Sequence, residues 1–176
     1  MDIAKPEAKL RELNFFLKKM QDLQRYIELP ETEPFAFYMN AFLSAASSLR
    51  DCFRKGGDKQ AARWQKNWEA QLTPQEEALY DYLRVERNIE LHRGGSRRKH
   101  KTKQQHLAPG SYELTPGTRG DVAGPPDVLV QIDKQVLFFT IEGNERNALE
   151  ACAEFAGLLE RLMAEYKATH CPAREG

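Results

Sequence analysis

No apolar run in the chain approaches the length of a membrane span. The opening residues, MDIAKPEAKLRELN, are charged from Asp2 onward and lack the apolar core of a signal peptide. Net charge is absent too: 26 Lys and Arg balance 26 Asp and Glu. The chain as a whole therefore predicts no polyanionic partner, and electrostatic arguments must be local. Cysteine is scarce and odd in number. Cys52, Cys152 and Cys171 stand far apart, with no CxxC pair and no Cys/His spacing of a zinc site. Cys52 and Cys152 fall within apolar helical patterns, where a free thiol behaves as a small core residue. This usage fits a reducing cytoplasm, and a cytoplasmic protein without a membrane partner, metal or cofactor is expected.

What is present is helical patterning. The 176 residues suffice for one domain with a hydrophobic core, and 41 % apolar with 30 % charged residues fits a helical protein. From about Pro6 to Leu29, Leu10, Leu13, Phe16, Leu17, Met20, Leu23 and Ile27 mark one buried stripe. A second helix places Phe35, Tyr38, Met39, Phe42, Ala45, Ala46, Leu49 and Phe53 on one face and ends at Gly56-Gly57. Asp58 can cap a short third segment, whose Trp64 and Trp68 are read as packing residues. In LTPQEEALYDYLRV, Thr73 is a suitable N-cap, Pro74 takes the first helical position and Glu76 completes a capping box. That helix stops at Gly94-Gly95, which puts His92 in its final turn.

Residues 94–126 are rich in Gly, Pro, Lys and Arg and predict a flexible basic loop. Residues 127–142 then alternate in two runs about Asp133-Lys134, predicting a β-hairpin in which Phe138 and Phe139 point to opposite faces. Asn144 can cap a long closing helix through Leu149, Cys152, Phe155, Leu159, Leu162, Met163 and Tyr166. The expectation is a mainly α, single domain over 1–176: a four- to five-helix up-and-down bundle, with the basic loop and hairpin inserted before the C-terminal helix.

Within the fourth helix, Arg87-Asn88-Ile89-Glu90-Leu91-His92 is similar to the arginine, polar residue, three variable residues and histidine of the HEPN superfamily (higher eukaryotes and prokaryotes nucleotide-binding). The helix FYMNAFLSAASSLRDCFRK resembles its counterpart in bacterial HEPN-like proteins. The resemblance implies a helical bundle that forms a homodimer with the motif at a shared cleft. For many members it implies metal-independent endoribonuclease activity in toxin–antitoxin, anti-phage or RNA-processing systems, with an antitoxin or regulatory partner. Other members keep the fold without activity. The basic loop and hairpin depart from a minimal bundle.

Metal-free RNA cleavage uses the neighbouring 2′-hydroxyl as nucleophile and needs proton transfer plus a cation for the phosphorane's charge. His92 suits the first task, with a reference pKa of roughly 6.5, and the helix C-terminus favours its protonated form. Arg87 suits the second, because its planar fork donates two parallel hydrogen bonds. Asn88 lies four residues before His92 and can orient the ring. Arg87 and His92, five apart, lie about 140° around an ideal helix, so one helix holds half a site and a two-fold partner completes it. The bland alternative pairs Arg87 with Glu90 or Asp81 on the surface and leaves His92 as a helix-end residue.

The run that follows, Arg93, Arg97, Arg98, Lys99, Lys101 and Lys103, contains no acidic residue and can attract RNA phosphates by counterion release. It contains no aromatic residue for base stacking. His100 and His106 lack a third ligand at metal spacing, and GGSRRKHK lacks the P-loop arrangement. Glu86 and Glu90 share a helix face and are read as solvated. Two readings stay open: an RNA-binding protein with endoribonuclease activity, or a non-catalytic module that binds nucleotide or a regulatory partner. A third is an interaction scaffold using the hairpin.

Overall fold

The fourth helix begins where its local chemistry dictates. Thr73 N–H donates to Glu76 Oε2 at 2.8 Å, and Glu76 N–H donates to Thr73 Oγ1 at 3.3 Å, the reciprocal pair of a capping box. Asp58 likewise accepts from the N–H groups of Gln60 and Ala61 at the start of the third helix. A computed structural model describes residues 2–24, 33–56, 58–93, 98–115 and 118–170. Within them run α1 (Ala4–Gln24), α2 (Glu33–Lys55), α3 (Lys59–Glu69), α4 (Pro74–Arg93), β1 (Lys99–Leu107), β2 (Gly110–Thr115), β3 (Thr118–Val122), β4 (Val130–Ile141), β5 (Asn144–Asn147) and α5 (Ala148–His170). The protein is mainly helical, with five described helices and a small antiparallel sheet. No described helix is long and apolar enough to cross a membrane. Residues 25–32, including Ile27, and Cys171 lie outside the described residues.

The core follows the expected stripes. On α2, Phe35, Met39, Phe42, Ala45, Ala46, Leu49 and Phe53 are buried, and Tyr38 packs at the margin. On α5 the apolar stripe is broad: Leu149, Cys152, Phe155, Leu159, Leu162, Met163 and Tyr166 are all buried. A stripe that wide needs cover on several sides, and α1, α3, α4, β4 and β5 supply it. Trp64 packs on Phe53 and Tyr166, and Trp68 on Tyr80. Across α2, α3 and α4 runs a buried polar brace. Arg50 Nε donates to Tyr80 Oη at 2.7 Å, and Tyr80 Oη donates to Glu69 Oε1 at 2.8 Å. Burial pushes the Tyr80 hydroxyl up to about 12, so it stays a neutral donor.

The middle of the chain differs from the sequence expectation in two ways. Where a flexible loop was expected over 94–126, the described residues hold β1, β2 and β3. The nine residues KHKTKQQHL of β1 offer almost no apolar signal of their own. They are ordered by a partner, pairing antiparallel with β4 from Lys99 opposite Phe138 to Leu107 opposite Val130. And 127–142 is not a hairpin turning at Asp133-Lys134. It carries one strand, β4, that runs through those residues to Ile141. The reversal comes at Glu142-Gly143, both at positive φ (49° and 79°), the two-residue turn whose twist suits a hairpin. Asn144 accordingly opens β5 opposite Ile141, and the cap of α5 is Asn147, whose side chain accepts from Leu149 and Glu150 N–H. The sheet order is β1-β4-β5, with β2 and β3 forming a separate ribbon. Phe138 and Phe139 do face opposite ways: Phe139 is buried against Tyr82, while Phe138 is half-buried under Lys101.

The capping box also sets an acid response. The Arg161 hydrogen bond first, and the Thr73 N–H second, hold the Glu76 carboxyl at about 2 against an ordinary 4.5. A depressed carboxylate stabilises the fold in full above its unfolded pKa and loses that contribution as pH falls through its folded one. Thermal melts between about pH 5 and about pH 2 are expected to show a smaller acid loss for Glu76→Gln than for the parent. Parallel loss in both proteins would contradict this.

Candidate functional site

Leu79, Leu83 and Glu86 stand on one stripe of α4, at the i, i+4, i+7 spacing of a buried face. Leu79 and Leu83 are buried as expected, and so is Glu86, at 0 % exposure. A carboxylate there requires a cation, because an unpaired buried charge costs several kcal/mol. Arg98 supplies it. Its side chain is only 5 % exposed, with Nε 3.4 Å from Glu86 Oε1, and its Nη2 donates to Asn40 Oδ1 on α2 at 2.6 Å. Glu86 is thus not the solvated residue expected from its helical spacing. Nor does Arg98 belong to a solvated basic arm; it fastens the start of β1 to α2 and α4.

This clasp has a geometric consequence for the basic run. Arg87 follows Glu86 on α4, and Lys99 follows Arg98 on the strand. The head of β1 is therefore held at the turn of α4 that carries Arg87. Arg87 itself is partly buried, and its Nε is screened from solvent. Asp81, one partner suggested for it, pairs instead with Arg84 at 3.0 Å. The backbone of α4 continues to Arg93, so His92 does occupy its last turn. The side chains of Asn88, Glu90, His92 and Arg93 lie outside the described ones, as does Arg97 entirely.

Along β1 the alternation of a strand puts Lys99, Lys101 and Lys103 on one face, each exposed. Successive lysines are about 6.7 Å apart along the strand. The same face carries Val136 and Phe138 of β4 and Glu145 of β5. Lys101 reaches across the Phe138 ring to pair with Glu145, and that contact holds the Glu145 carboxyl below its usual range. The opposite face of the sheet is apolar where Leu137, Phe139 and Ile141 meet the helices. The lysines are the exposed positions of a face on which Val136, opposite Lys101, and Leu107 are buried.

The clasp joins Glu86, Arg98 and Asn40 and brings the start of β1 to the turn of α4 that carries Arg87, while the pleat aligns Lys99, Lys101 and Lys103 on the face of the strand opposite Arg98. Sequence reasoning named Glu86 but read it as solvated, and it missed Asn40 and Glu145. For Glu86 a signal existed, its place on the Leu79–Leu83 stripe. For Asn40 and Glu145 none did, because their partners are remote in sequence. Among the described residues, no group of three His, Cys, Asp or Glu side chains could hold a metal ion. Comparison with protein-family models, curated proteins and solved structures gave no match.

Proposed function

We propose that the chain is a HEPN-like helical bundle that works as a homodimer, binds RNA and cleaves it without a metal. Arg87 of one protomer holds the scissile phosphate, and His92 of the other, steadied by Asn88, moves the proton. The 2′-oxygen bonds to phosphorus and gives its proton to solvent. The bond to the 5′-oxygen breaks, and that leaving oxygen takes the proton from His92. Lys99, Lys103 and, behind its Glu145 contact, Lys101 attract the backbone, with Arg93 and Arg97 adding to the same field. One observation carries the reading: the buried Glu86–Arg98 pair ties the head of an exposed lysine row to the helical turn bearing Arg87.

The test incubates purified protein with mixed RNA in EDTA beside Arg87→Ala and His92→Ala. Cleavage by the parent and its loss in both variants is the expected result. Equal cleavage by all three would mark a contaminant and remove the catalytic assignment. The partial burial of Arg87 favours a second reading, a non-catalytic module that binds nucleotide or a regulatory partner. That reading expects saturable nucleotide binding, lost with Arg87→Ala, and no cleavage by any of the three.

A further inference from the structure

The face of the sheet that carries the lysines passes from open to covered within a few residues. Strand register puts Lys103 and Gln105 of β1, Val136 of β4 and Asn147 of β5 on that one face, since Lys101 stands opposite Val136 and Phe138 opposite Asn147. Lys103 and Gln105 are exposed, whereas Val136 is buried. At this boundary lies a cavity of about 350 Å³, walled also by Gln24 and Glu150. Gln24 closes α1, and Glu150 stands in the first turn of α5, so the cavity is built by remote parts of the chain. Its volume falls in the range of small-ligand sites, roughly 300–1,000 Å³.

The lining decides what kind of ligand suits it. Carboxamides outnumber charges: Gln24, Gln105 and Asn147 stand beside one lysine and one carboxylate. Asn147 Oδ1 accepts from the N–H groups of Leu149 and Glu150 at 2.9 and 3.1 Å. The cap thus holds Asn147 in place and leaves Nδ2 as its side-chain donor. Glu150, three residues on, offers acceptors only. A fixed donor close to an acceptor matches a flat ring whose edge carries an acceptor beside an N–H. A nucleobase has such an edge. A phosphate does not, and Glu150 repels it. Pairing with a second strand occupies the same edge of the base, so the cavity suits an unpaired one.

We propose that this cavity receives an unpaired base of a single-stranded RNA whose backbone lies along Lys99, Lys101 and Lys103. Asn147 and Glu150 meet the edge of the base, Gln105 adds a second carboxamide, and Val136 supplies apolar contact. Lys103 belongs to both the row and the cavity wall, so a phosphate held there brings its own nucleotide to the opening. This inference rests on the RNA reading and deepens it: the lysines attract any backbone, and the cavity selects a strand with free bases.

The test measures binding of the full chain to two fluorescent oligonucleotides of equal length and charge. One is a mixed-sequence single strand, the other the same backbone without bases, and both carry 2′-O-methyl groups to prevent cleavage. The base-bearing strand is expected to bind about tenfold more tightly. In the Gln105→Ala/Glu150→Ala variant, which alters two exposed side chains, that gap should close while the abasic strand binds at least as well as before. Lys103→Ala should instead weaken both strands. Equal affinity of the parent for the two strands would overturn the proposal and leave the RNA reading standing. A gap that survives in the Gln105→Ala/Glu150→Ala variant would do the same, because the bases would then be read elsewhere. Binding of neither strand would remove the RNA reading and this proposal with it.

Discussion

Replacing Glu86 with alanine is expected to lower the unfolding free energy by about 3–5 kcal/mol. That is roughly two to four orders of magnitude in the folding equilibrium. The cause is burial. Glu86 is fully enclosed and the Arg98 side chain is 5 % exposed, so the variant keeps a guanidinium out of water after removing the carboxylate that balances it. Asn40 still accepts its hydrogen bond, but a neutral amide does not replace a counter-charge. Arg98→Ala leaves the carboxylate behind instead, and a carboxyl has an escape that an arginine lacks: it can take up a proton and become neutral. Arg98→Ala should therefore lose less stability in mildly acidic solution than at neutral pH. Replacing Glu86 and Arg98 together by an apolar pair of similar volume is expected to cost far less than either single alanine, since no charge remains to be balanced. Urea unfolding measures all three. A loss below about 1 kcal/mol for Glu86→Ala, the range of a surface pair, would contradict a buried clasp.

The contrast between Glu86 and the capping box explains how much of the protein was legible in its sequence. Thr73, Pro74 and Glu76 act within one turn of chain, so the start of α4 could be read directly, as could the stripes of α2 and α5. β1 could not. Its residues are polar, and they form a strand because β4 lies beside them with an apolar back face. β4 was legible in kind but not in extent. The polar pair Asp133-Lys134 suggested a turn, yet the alternation keeps its parity across it, with Val130, Val136 and Phe138 on one face and Leu137, Phe139 and Ile141 on the other. The true reversal at Glu142-Gly143 needed positive φ at both positions, and only the glycine signals that. At the candidate site the same division holds. The place of His92 at a helix end follows from local signals. The arrest of Arg98 by Glu86 depends on two residues twelve apart, and Asn40 completes it from another helix.

The second large effect concerns the proposed chemistry. Removing a proton-transfer group typically slows cleavage by about 10²–10⁴-fold, so His92→Ala should reduce RNA cleavage by that range while leaving RNA binding within a few-fold. Arg87→Ala should weaken both, because it removes the cation from the phosphate. Lys99 and Lys103 should differ from both. Their alanine variants are expected to flatten the salt dependence of binding, by a slope of about one per lysine, with little change in cleavage at saturating RNA.

The most direct measurement mixes the two inactive variants. Arg87→Ala and His92→Ala protomers are unfolded together, refolded and assayed for RNA cleavage in EDTA. If each site takes Arg87 from one protomer and His92 from its partner, a mixed dimer rebuilds one site of two. Random pairing then restores about a quarter of the parent's activity, where each variant alone has almost none. No activity in the mixture, although mixed dimers form and the parent protein is active, would contradict a site shared between two copies.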